Sequence, residues 1–261
     1  MFDRSIELTV CNNCCAQLTT EQIELKIAQE FEGDVGCVVW DAALVLVKFL
    51  ETITGEIYQK PTESLFHPAS SLDGVSLAKL KLLNLFFKKR LHLDHTLDVL
   101  ELGAGTGVCS FAIASLVNAK IFCTDLKQFE YLIKQNLHAN RSNFRSSSEV
   151  LTCELDWSEC DQSDLKNESF DLIVLSDCIY YEESVENLVQ TLKLFCKPKT
   201  LILMSLEERS EKKVLVEKFW SLMDGSFTWH EVSLNEQNEK IKCEEIHLFI
   251  IYKTPIKSCV E

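Results

Sequence analysis

The sequence predicts an α/β fold with a mostly parallel, seven-stranded sheet and helices on both faces. Between residues 97 and 223, short apolar segments alternate with segments of helical periodicity, which is typical of strand–helix–strand units. Two further apolar segments, residues 227–232 and 246–252, are expected to form an antiparallel pair of strands. At 261 residues, the chain is expected to be a single domain, residues 1–261.

The N-terminal part is predicted to extend this core. Residues 1–35 are interpreted as a β extension, because apolar and polar side chains alternate over residues 23–27 as in a half-buried strand. A helix is expected over Asp41–Glu51, where apolar residues recur at helical spacing. Residues 53–92 are interpreted as an insertion, a polar loop followed by an amphipathic helix over Val75–Leu91.

A glycine-rich turn connects the first strand of the parallel sheet to the helix after it. Its sequence is V-L-E-L-G-A-G-T-G over residues 99–107, with Gly103, Gly105 and Gly107 at every second position. Glycine allows positive φ and close approach of the backbone to a ligand. Because such a turn opens a helix N-terminus, it is typical of a cofactor site. A tight turn that binds no ligand is the alternative.

Two acidic residues indicate which cofactor this turn would take. Asp125 ends the next apolar segment, twenty positions after Gly105, where a carboxylate suits a ribose diol. The spacing is not the G-x-G-x-x-G of dinucleotide sites, and Glu101 lies two positions before the first glycine. The pattern acid-x-G-x-G-x-G is typical of S-adenosylmethionine sites, and an anionic Glu101 would attract the sulfonium.

Four candidate residues fall where predicted strands end: Glu101, Asp125, Trp157 and Asp177. The carboxyl ends of parallel strands share one edge of a sheet, and ligands bind there. We therefore expect these four side chains to converge on one site.

Composition limits the function classes. The net charge of −14 argues against binding to nucleic acid or to an anionic membrane surface. No apolar segment approaches the roughly 18 residues of a membrane span, and the first residues show no signal-peptide pattern. The 12 cysteines show no disulfide-framework spacing, so a reducing, cytoplasmic location is expected. The C-x-x-C of Cys11 and Cys14 has no second pair, so no metal site is expected.

The sequence after the fourth strand resembles a known family. Asp177-Cys-Ile-Tyr180 matches the D-x-x-Y motif of the seven-strand, class I methyltransferases that modify protein lysines. Three blocks are similar to the branch that acts on the valosin-containing AAA-type ATPase: G-C-V-V-W-D-A-A (36–43), D-C-I-Y-Y-E-E-S (177–184) and E-E-I-H (244–247). The resemblance implies a Rossmann-like class I methyltransferase fold, S-adenosylmethionine as methyl donor, that ATPase as substrate and a monomeric enzyme.

The resemblance also implies roles for individual residues. The cofactor would contact Trp40, Gly103, Ala104, Gly105, Asp125 through the ribose, Trp157 through the adenine, and the backbone of Ser176. Asp177 and Tyr180 would border the channel for the target lysine. Two departures bear on the substrate: residues 53–92 are longer than the family expects, and Leu206 replaces an aromatic residue.

The chemistry sets a requirement for this channel. A lysine with a pKa of about 10.4 must lose its proton before attack, which costs about 4.6 kcal/mol at pH 7. Aromatic walls from Tyr180 and Tyr181 would lower this pKa by desolvation, whereas a carboxylate at Asp177 favours the ammonium. We therefore expect Asp177 to position the amine, with any general-base role secondary.

Alternative functions stay open at this point. A methyltransferase of small molecules or nucleic acid is one, although the D-P-P-Y type of motif is replaced by Asp177-Cys-Ile-Tyr180. A non-catalytic interaction protein that keeps the fold is another, and the intact acids at 101, 125 and 177 argue against it.

Overall fold

A seven-stranded sheet between two layers of helices forms the centre of the computed structural model, which describes residues 2–14, 17–30, 32–59 and 95–254. The strands are β1 (Phe2–Cys14), β2 (Gln17–Gln29), β3 (Leu97–Leu102), β4 (Ala119–Asp125), β5 (Glu149–Glu154), β6 (Leu172–Ser176), β7 (Leu201–Glu207), β8 (Phe227–Val232) and β9 (Ile246–Lys253). The α-helices are α1 (Asp41–Gln59), α2 (Val108–Leu116), α3 (Glu130–Asn140), α4 (Glu182–Phe195) and α5 (Lys213–Met223).

The strand order of the large sheet is β5-β4-β3-β6-β7-β9-β8. Strands β3 to β7 pair in parallel, and β9 is antiparallel to both β7 and β8. This confirms the predicted fold class, including the antiparallel last pair. Strand β6 lies in the middle of the sheet, which explains why its sequence is apolar at nearly every position.

Each face of the sheet is covered by its own apolar layer. Helices α1, α2 and α3 cover one face together with the β1–β2 hairpin, and Phe49 and Phe111 are fully buried there. Helices α4 and α5 cover the other face, where Phe195 and Phe219 are fully buried. The two layers leave the carboxyl ends of the parallel strands as the open edge of the sheet.

Helix α1 is longer than its sequence suggests. It continues to Gln59 instead of ending at Glu51, because Ile53 and Ile57, one turn apart, extend its buried stripe. Residues 53–59 of the predicted insertion are therefore helix. The rest of that insertion, with the helix predicted over Val75–Leu91, lies outside the described residues.

Helix α4 begins at Glu182 with Tyr181 as its N-cap residue, so Ser184 lies within its first turn. The Ser184 hydroxyl donates a hydrogen bond to the Tyr181 carbonyl at 2.9 Å. Glu182 and Glu183 then occupy the first turn, where negative charge complements the helix dipole.

Most described cysteines behave as small buried hydrophobic residues. Nine cysteines have described side chains, and seven of these are buried: Cys11, Cys37, Cys109, Cys123, Cys160, Cys178 and Cys196. In the described part of the chain, no helix combines the length and apolar character needed to cross a membrane.

The predicted N-terminal β extension is an antiparallel hairpin, in which β1 and β2 pair from Phe2 with Gln29 to Cys14 with Gln17. Two asparagines of α3 attach this hairpin to the rest of the fold. Their side-chain amides hydrogen-bond to backbone N–H and carbonyl groups of β2, as the backbone of a neighbouring strand would. Asn136 accepts from the Ala28 N–H at 2.8 Å and donates to the Ala28 carbonyl at 3.1 Å. Asn140 makes the same pair of bonds with Lys26.

Asn136 also donates to the carbonyl of Thr106, inside the glycine-rich turn, at 3.0 Å. One buried amide therefore joins the hairpin, α3 and the turn.

We expect Asn136→Ala to lower the free energy of unfolding by about 3 kcal/mol, because the backbone groups of Ala28 and the Thr106 carbonyl lose a buried partner. Urea denaturation measures the change. Lys134→Ala on the same helix removes only an exposed ion pair with Glu130 and should cost less than about 1 kcal/mol. Equal losses for the two variants would contradict this account of the hairpin's attachment.

Candidate active site

Two adjoining cavities lie at the carboxyl edge of the sheet, each of about 290 Å³. The first contains most of the residues singled out from sequence: Trp40, Glu101, Gly103, Ala104, Gly105, Asp125, Ser176, Asp177 and Tyr180. The second is lined by Trp157 and shares Asp125 and Tyr180 with the first. The structure thus brings all ten predicted site residues to one edge of the sheet.

The glycine-rich turn needs glycine for two separate reasons. Gly103 and Gly105 have φ of 61° and 55°, in the left-handed region that side chains disfavour. A Cβ on Gly105 would lie 2.6 Å from the carbonyl oxygen of Gly36. A Cβ on Gly103 would lie 2.9 Å from the Cys178 sulfur and 3.2 Å from the Trp157 ring. The turn is therefore packed tightly beneath the segment that precedes α1.

Hydrogen bonds fix this turn to β4. The Ala104 N–H donates to the Thr124 carbonyl at 3.0 Å, so Ala104 lines the cavity with its N–H already bonded. The Gly105 N–H donates to Asp125 Oδ2 at 2.6 Å, and the Leu126 N–H donates to Asp125 Oδ1 at 2.7 Å. Burial raises the pKa of Asp125 to about 6. Each carboxylate oxygen keeps a second lone pair that can accept a ribose hydroxyl.

Glu101 is more deeply placed than the sequence suggests. It is 3 % exposed, and its Oε2 accepts from the Ser110 N–H at 2.9 Å and also from the Ser110 hydroxyl. Burial raises its pKa to about 7. The carboxyl group therefore fixes the first turn of α2, a role that the sequence did not show. Its attraction for a sulfonium stays a prediction.

Asp177 has an unusual backbone conformation. It is the non-glycine residue with positive φ, 54°, in the described part of the chain, and such strain is typical of functional sites. Its Oδ2 accepts from the Arg209 guanidinium at 2.7 Å, and its Oδ1 accepts from the Glu207 N–H at 3.3 Å. A helix-capping role does not fit, since Tyr181 is the N-cap residue of α4 and has no side-chain cap bond.

Aromatic side chains form the walls beside Asp177. The Tyr180 and Tyr181 rings meet edge to face with their centroids 4.8 Å apart. Burial raises the pKa of the Tyr180 phenol, so it stays protonated. Trp40 is 39 % exposed, and its indole N–H donates to the Val35 carbonyl at 2.8 Å. Ser176 completes this wall, with its hydroxyl 3.0 Å from that of Ser205.

Sequence reasoning missed Arg209 and Lys212, which place positive charge in the same cavity. The Arg209 guanidinium lies 5.0 Å from the centre of the Trp40 ring, and Lys212 Nζ donates to the Tyr180 carbonyl at 2.8 Å. The available signal was E-E-R over residues 207–209, since it follows β7 at the edge where the other candidates lie.

These residues fit a nucleoside with a short charged arm. Asp125 and Trp157 offer a carboxylate and an aromatic ring on one side, and the glycine-rich turn provides the close backbone approach. The carboxyl groups of Glu101, Asp125 and Asp177 and the cationic side chains of Arg209 and Lys212 line the same cavity. Within the described ranges, no group of three or more His, Cys, Asp or Glu residues is arranged to hold a metal ion.

The raised pKa of Glu101 predicts how stability changes with pH. The folded state holds a proton between about pH 4.5 and 7 that the unfolded chain releases, so this stabilisation is lost as pH rises through about 7. Between pH 4 and 8, the free energy of unfolding of the wild type should fall by about 3 kcal/mol more than that of Glu101→Gln.

Urea titrations at several pH values measure this loss. The matched control is Glu217→Gln, which changes an exposed carboxylate on α5 and should keep the wild-type dependence. Parallel pH curves for wild type and Glu101→Gln would contradict the assignment.

Known proteins resemble this chain in sequence and fold. It is 28 % identical over 234 residues to protein N-lysine methyltransferase METTL21A of Danio rerio, covering 89 % of this chain and 87 % of that protein. It is 28 % identical over 218 residues to EEF1A lysine methyltransferase 3 of Xenopus tropicalis, covering 83 % and 78 %. The CurJ carbon methyltransferase aligns over 81 % of this chain and 66 % of that one, with 14 % identity and a TM-score of 0.49.

That structural similarity is too low to support an argument, and the strand order itself establishes the class I methyltransferase fold. The lysine methyltransferase family model matches residues 19–225, from β2 to the end of the loop after α5. The matched part includes the glycine-rich turn, Asp125, Trp157 and the Asp177–Tyr180 motif. The chain therefore belongs to the lysine methyltransferase family, whose methyl donor is S-adenosylmethionine.

Proposed function

We propose that this enzyme transfers methyl groups from S-adenosylmethionine to the ε-amine of a lysine on the valosin-containing AAA-type ATPase. The observation that carries the transfer is one shared cavity, which is lined both by Asp125 and the glycine-rich turn and by Asp177 and Tyr180. A donor held by the first group would face an acceptor held by the second. The family match supports lysine as the acceptor.

The residues that would hold the cofactor follow from the geometry. Asp125 has lone pairs available for the ribose hydroxyls, and Trp157 lines the adjoining cavity where the adenine would lie. When bound, S-adenosylmethionine supplies a methyl group on a positively charged sulfur. The segment from Asp34 to Trp40 would cover it, since Val35 and Gly36 line the cavity above the turn.

The acceptor side must admit a neutral amine. Tyr180, Tyr181 and Trp40 line the cavity and would exclude water from a lysine side chain, which lowers the pKa of its amine. An Asp177 oxygen can accept an N–H of that amine and direct its lone pair. Orientation of this kind is worth several kcal/mol of the barrier.

Support for the ATPase as substrate comes from the blocks over residues 36–43 and 177–184. They contain Trp40, Asp177 and Tyr180, which line the acceptor side of the cavity. The Xenopus relative is named for EEF1A, so family membership alone leaves the substrate open. A monomeric state and a cytoplasmic location belong to the same proposal, and the free thiols of buried cysteines such as Cys109 and Cys123 support the location.

Methyl transfer from labelled S-adenosylmethionine to the purified ATPase tests the proposal. We expect label on one lysine, and a loss of roughly 100-fold or more in rate for Asp177→Ala, because the amine loses its positioning group. Calorimetry should show that this variant still binds the cofactor. Asp161→Asn, an exposed change outside both cavities, should keep the wild-type rate.

If the enzyme binds the cofactor but does not label the ATPase, the ATPase is not its substrate, and the labelling is repeated with a whole lysate. No labelled protein there either would contradict the proposed lysine transfer.

A second prediction concerns the turn. Gly105→Ala should weaken cofactor binding at least about tenfold, because its Cβ would displace the Gly36 carbonyl from above the site. Gly225→Ala is the matched control: it has the same left-handed backbone, φ 74°, with no atom within 4 Å of the added Cβ. Both variants should lose about 1–2 kcal/mol of stability from backbone strain. Equal cofactor affinity for the two would contradict the role of the turn.

A further inference from the structure

A buried ion pair between Asp177 and Arg209 lines the cavity beside Tyr180. The side chain of Asp177 is 3 % exposed and that of Arg209 is 21 % exposed, and Arg209 donates to Asp177 Oδ2 at 2.7 Å. A buried carboxylate without a partner would be strongly unfavourable. Arg209 is therefore the cationic partner of the buried Asp177 side chain.

Three further groups hold Arg209 in position. Its guanidinium also donates to Glu207 Oε2, and it lies over the Trp40 ring at 5.0 Å. The preceding residue, Glu208, donates its N–H to the Glu245 carbonyl at 2.7 Å, which holds the loop that carries Arg209. A planar guanidinium suits this combination of carboxylates and a ring face better than an ammonium does.

The loop that carries Arg209 is tied to the last two strands. One ring nitrogen of His247, on β9, lies 2.5 Å from Glu231 on β8, and the other lies 3.3 Å from Glu208. These contacts hold the loop from Glu207 to Arg209 against the sheet. The antiparallel strand β9, which pairs with β7, thus helps to fix the loop that carries Arg209.

The Asp177–Arg209 pair bears on how the target lysine reaches its neutral form. A lone carboxylate beside a lysine favours the ammonium, which has no lone pair and cannot attack. A carboxylate paired with a guanidinium exerts less of that bias, even though Arg209 is shared with Glu207, and it still offers an oxygen to an N–H.

We infer that Arg209 is a positioning residue that neutralises Asp177, so that the target lysine binds as the reactive neutral amine. This rests on the proposed lysine transfer. The ammonium first releases a proton to solvent. Its Nζ lone pair then forms the bond to the methyl carbon as the carbon–sulfur bond breaks, and that electron pair stays on sulfur. The methylated ammonium releases its proton to solvent.

Other titratable groups also line this cavity. The charged or titratable residues facing Asp177 or lining the cavity beside it are Glu101, Cys109, Asp125, Cys178, Tyr180, Tyr181, Glu207, Arg209, Glu211 and Lys212. Burial raises the pKa values of the Cys178 thiol and the Tyr180 phenol, so both stay neutral at physiological pH. Glu101 and Asp125, with pKa values raised to about 7 and about 6, are the same in wild type and in every Arg209 variant. A difference between the pH profiles of these proteins therefore reports on the ion pair.

The test is the pH dependence of kcat for methyl transfer, at saturating cofactor and protein substrate. For Arg209→Met we expect the rising limb to move to higher pH by about one unit or more, with about a tenfold loss near pH 7.5 that recovers at high pH. Arg209→Lys keeps the charge and should restore most of the wild-type profile. Arg141→Met, an exposed change on the far side of α3, should leave it unaltered.

Two readouts separate this role from a purely structural one. Calorimetry should give each Arg209 variant a cofactor affinity within about threefold of wild type. The double variant Asp177→Asn/Arg209→Met should bring the rising limb back towards its wild-type pH, because no unpaired carboxylate remains. If Arg209→Met fails to fold, Arg209→Gln keeps a donor to Asp177 without the charge and should show the same alkaline shift.

An equal loss of kcat at every pH would overturn the role of Arg209 and leave the proposed function standing. An inactive wild type, by contrast, would remove the proposed function and this inference together.

Discussion

Parallel strand pairing is the constraint on which the site depends. Because β3, β4, β6 and β7 run in the same direction, their carboxyl ends deliver Glu101, Asp125, Asp177 and Glu207 to one edge of the sheet. No single side chain creates the cavity. The left-handed turn at Gly105 then lets the segment before α1 pack directly against this edge. The site therefore lies between the strand ends and that segment.

Three carboxyl groups at this edge are held in different ways. Glu101 binds Ser110 at the start of α2, and Asp125 accepts from the backbone N–H groups of Gly105 and Leu126. Burial raises the pKa values of both. Asp177 has a cationic partner in Arg209. We propose that these arrangements serve three tasks: Glu101 supports the first turn of α2, Asp125 binds neutral hydroxyls, and Asp177 aligns an amine without charging it.

Much of this arrangement could be predicted from the sequence, for a physical reason. Buried parallel strands are continuously apolar and end in polar residues, so the strands and their terminal acids are visible without a structure. The predicted end of α1 was wrong because Thr54 and Gly55 are residues typical of a loop, whereas Ile53 and Ile57 continue the buried stripe of the helix. Arg209 was missed because a sequence does not show which way a loop side chain turns. The close packing of Gly36 on Gly105 is likewise a property of three-dimensional packing.

A crystal structure with S-adenosylhomocysteine tests the central claim most directly, since it places the sulfur that carries the methyl group. We expect the ribose hydroxyls to bind Asp125 and the adenine to lie beside Trp157. The sulfur should face the wall formed by Asp177 and Tyr180. A sulfur pointing away from that wall, or a ribose bound elsewhere than Asp125, would contradict the assignment of donor and acceptor sides to this cavity.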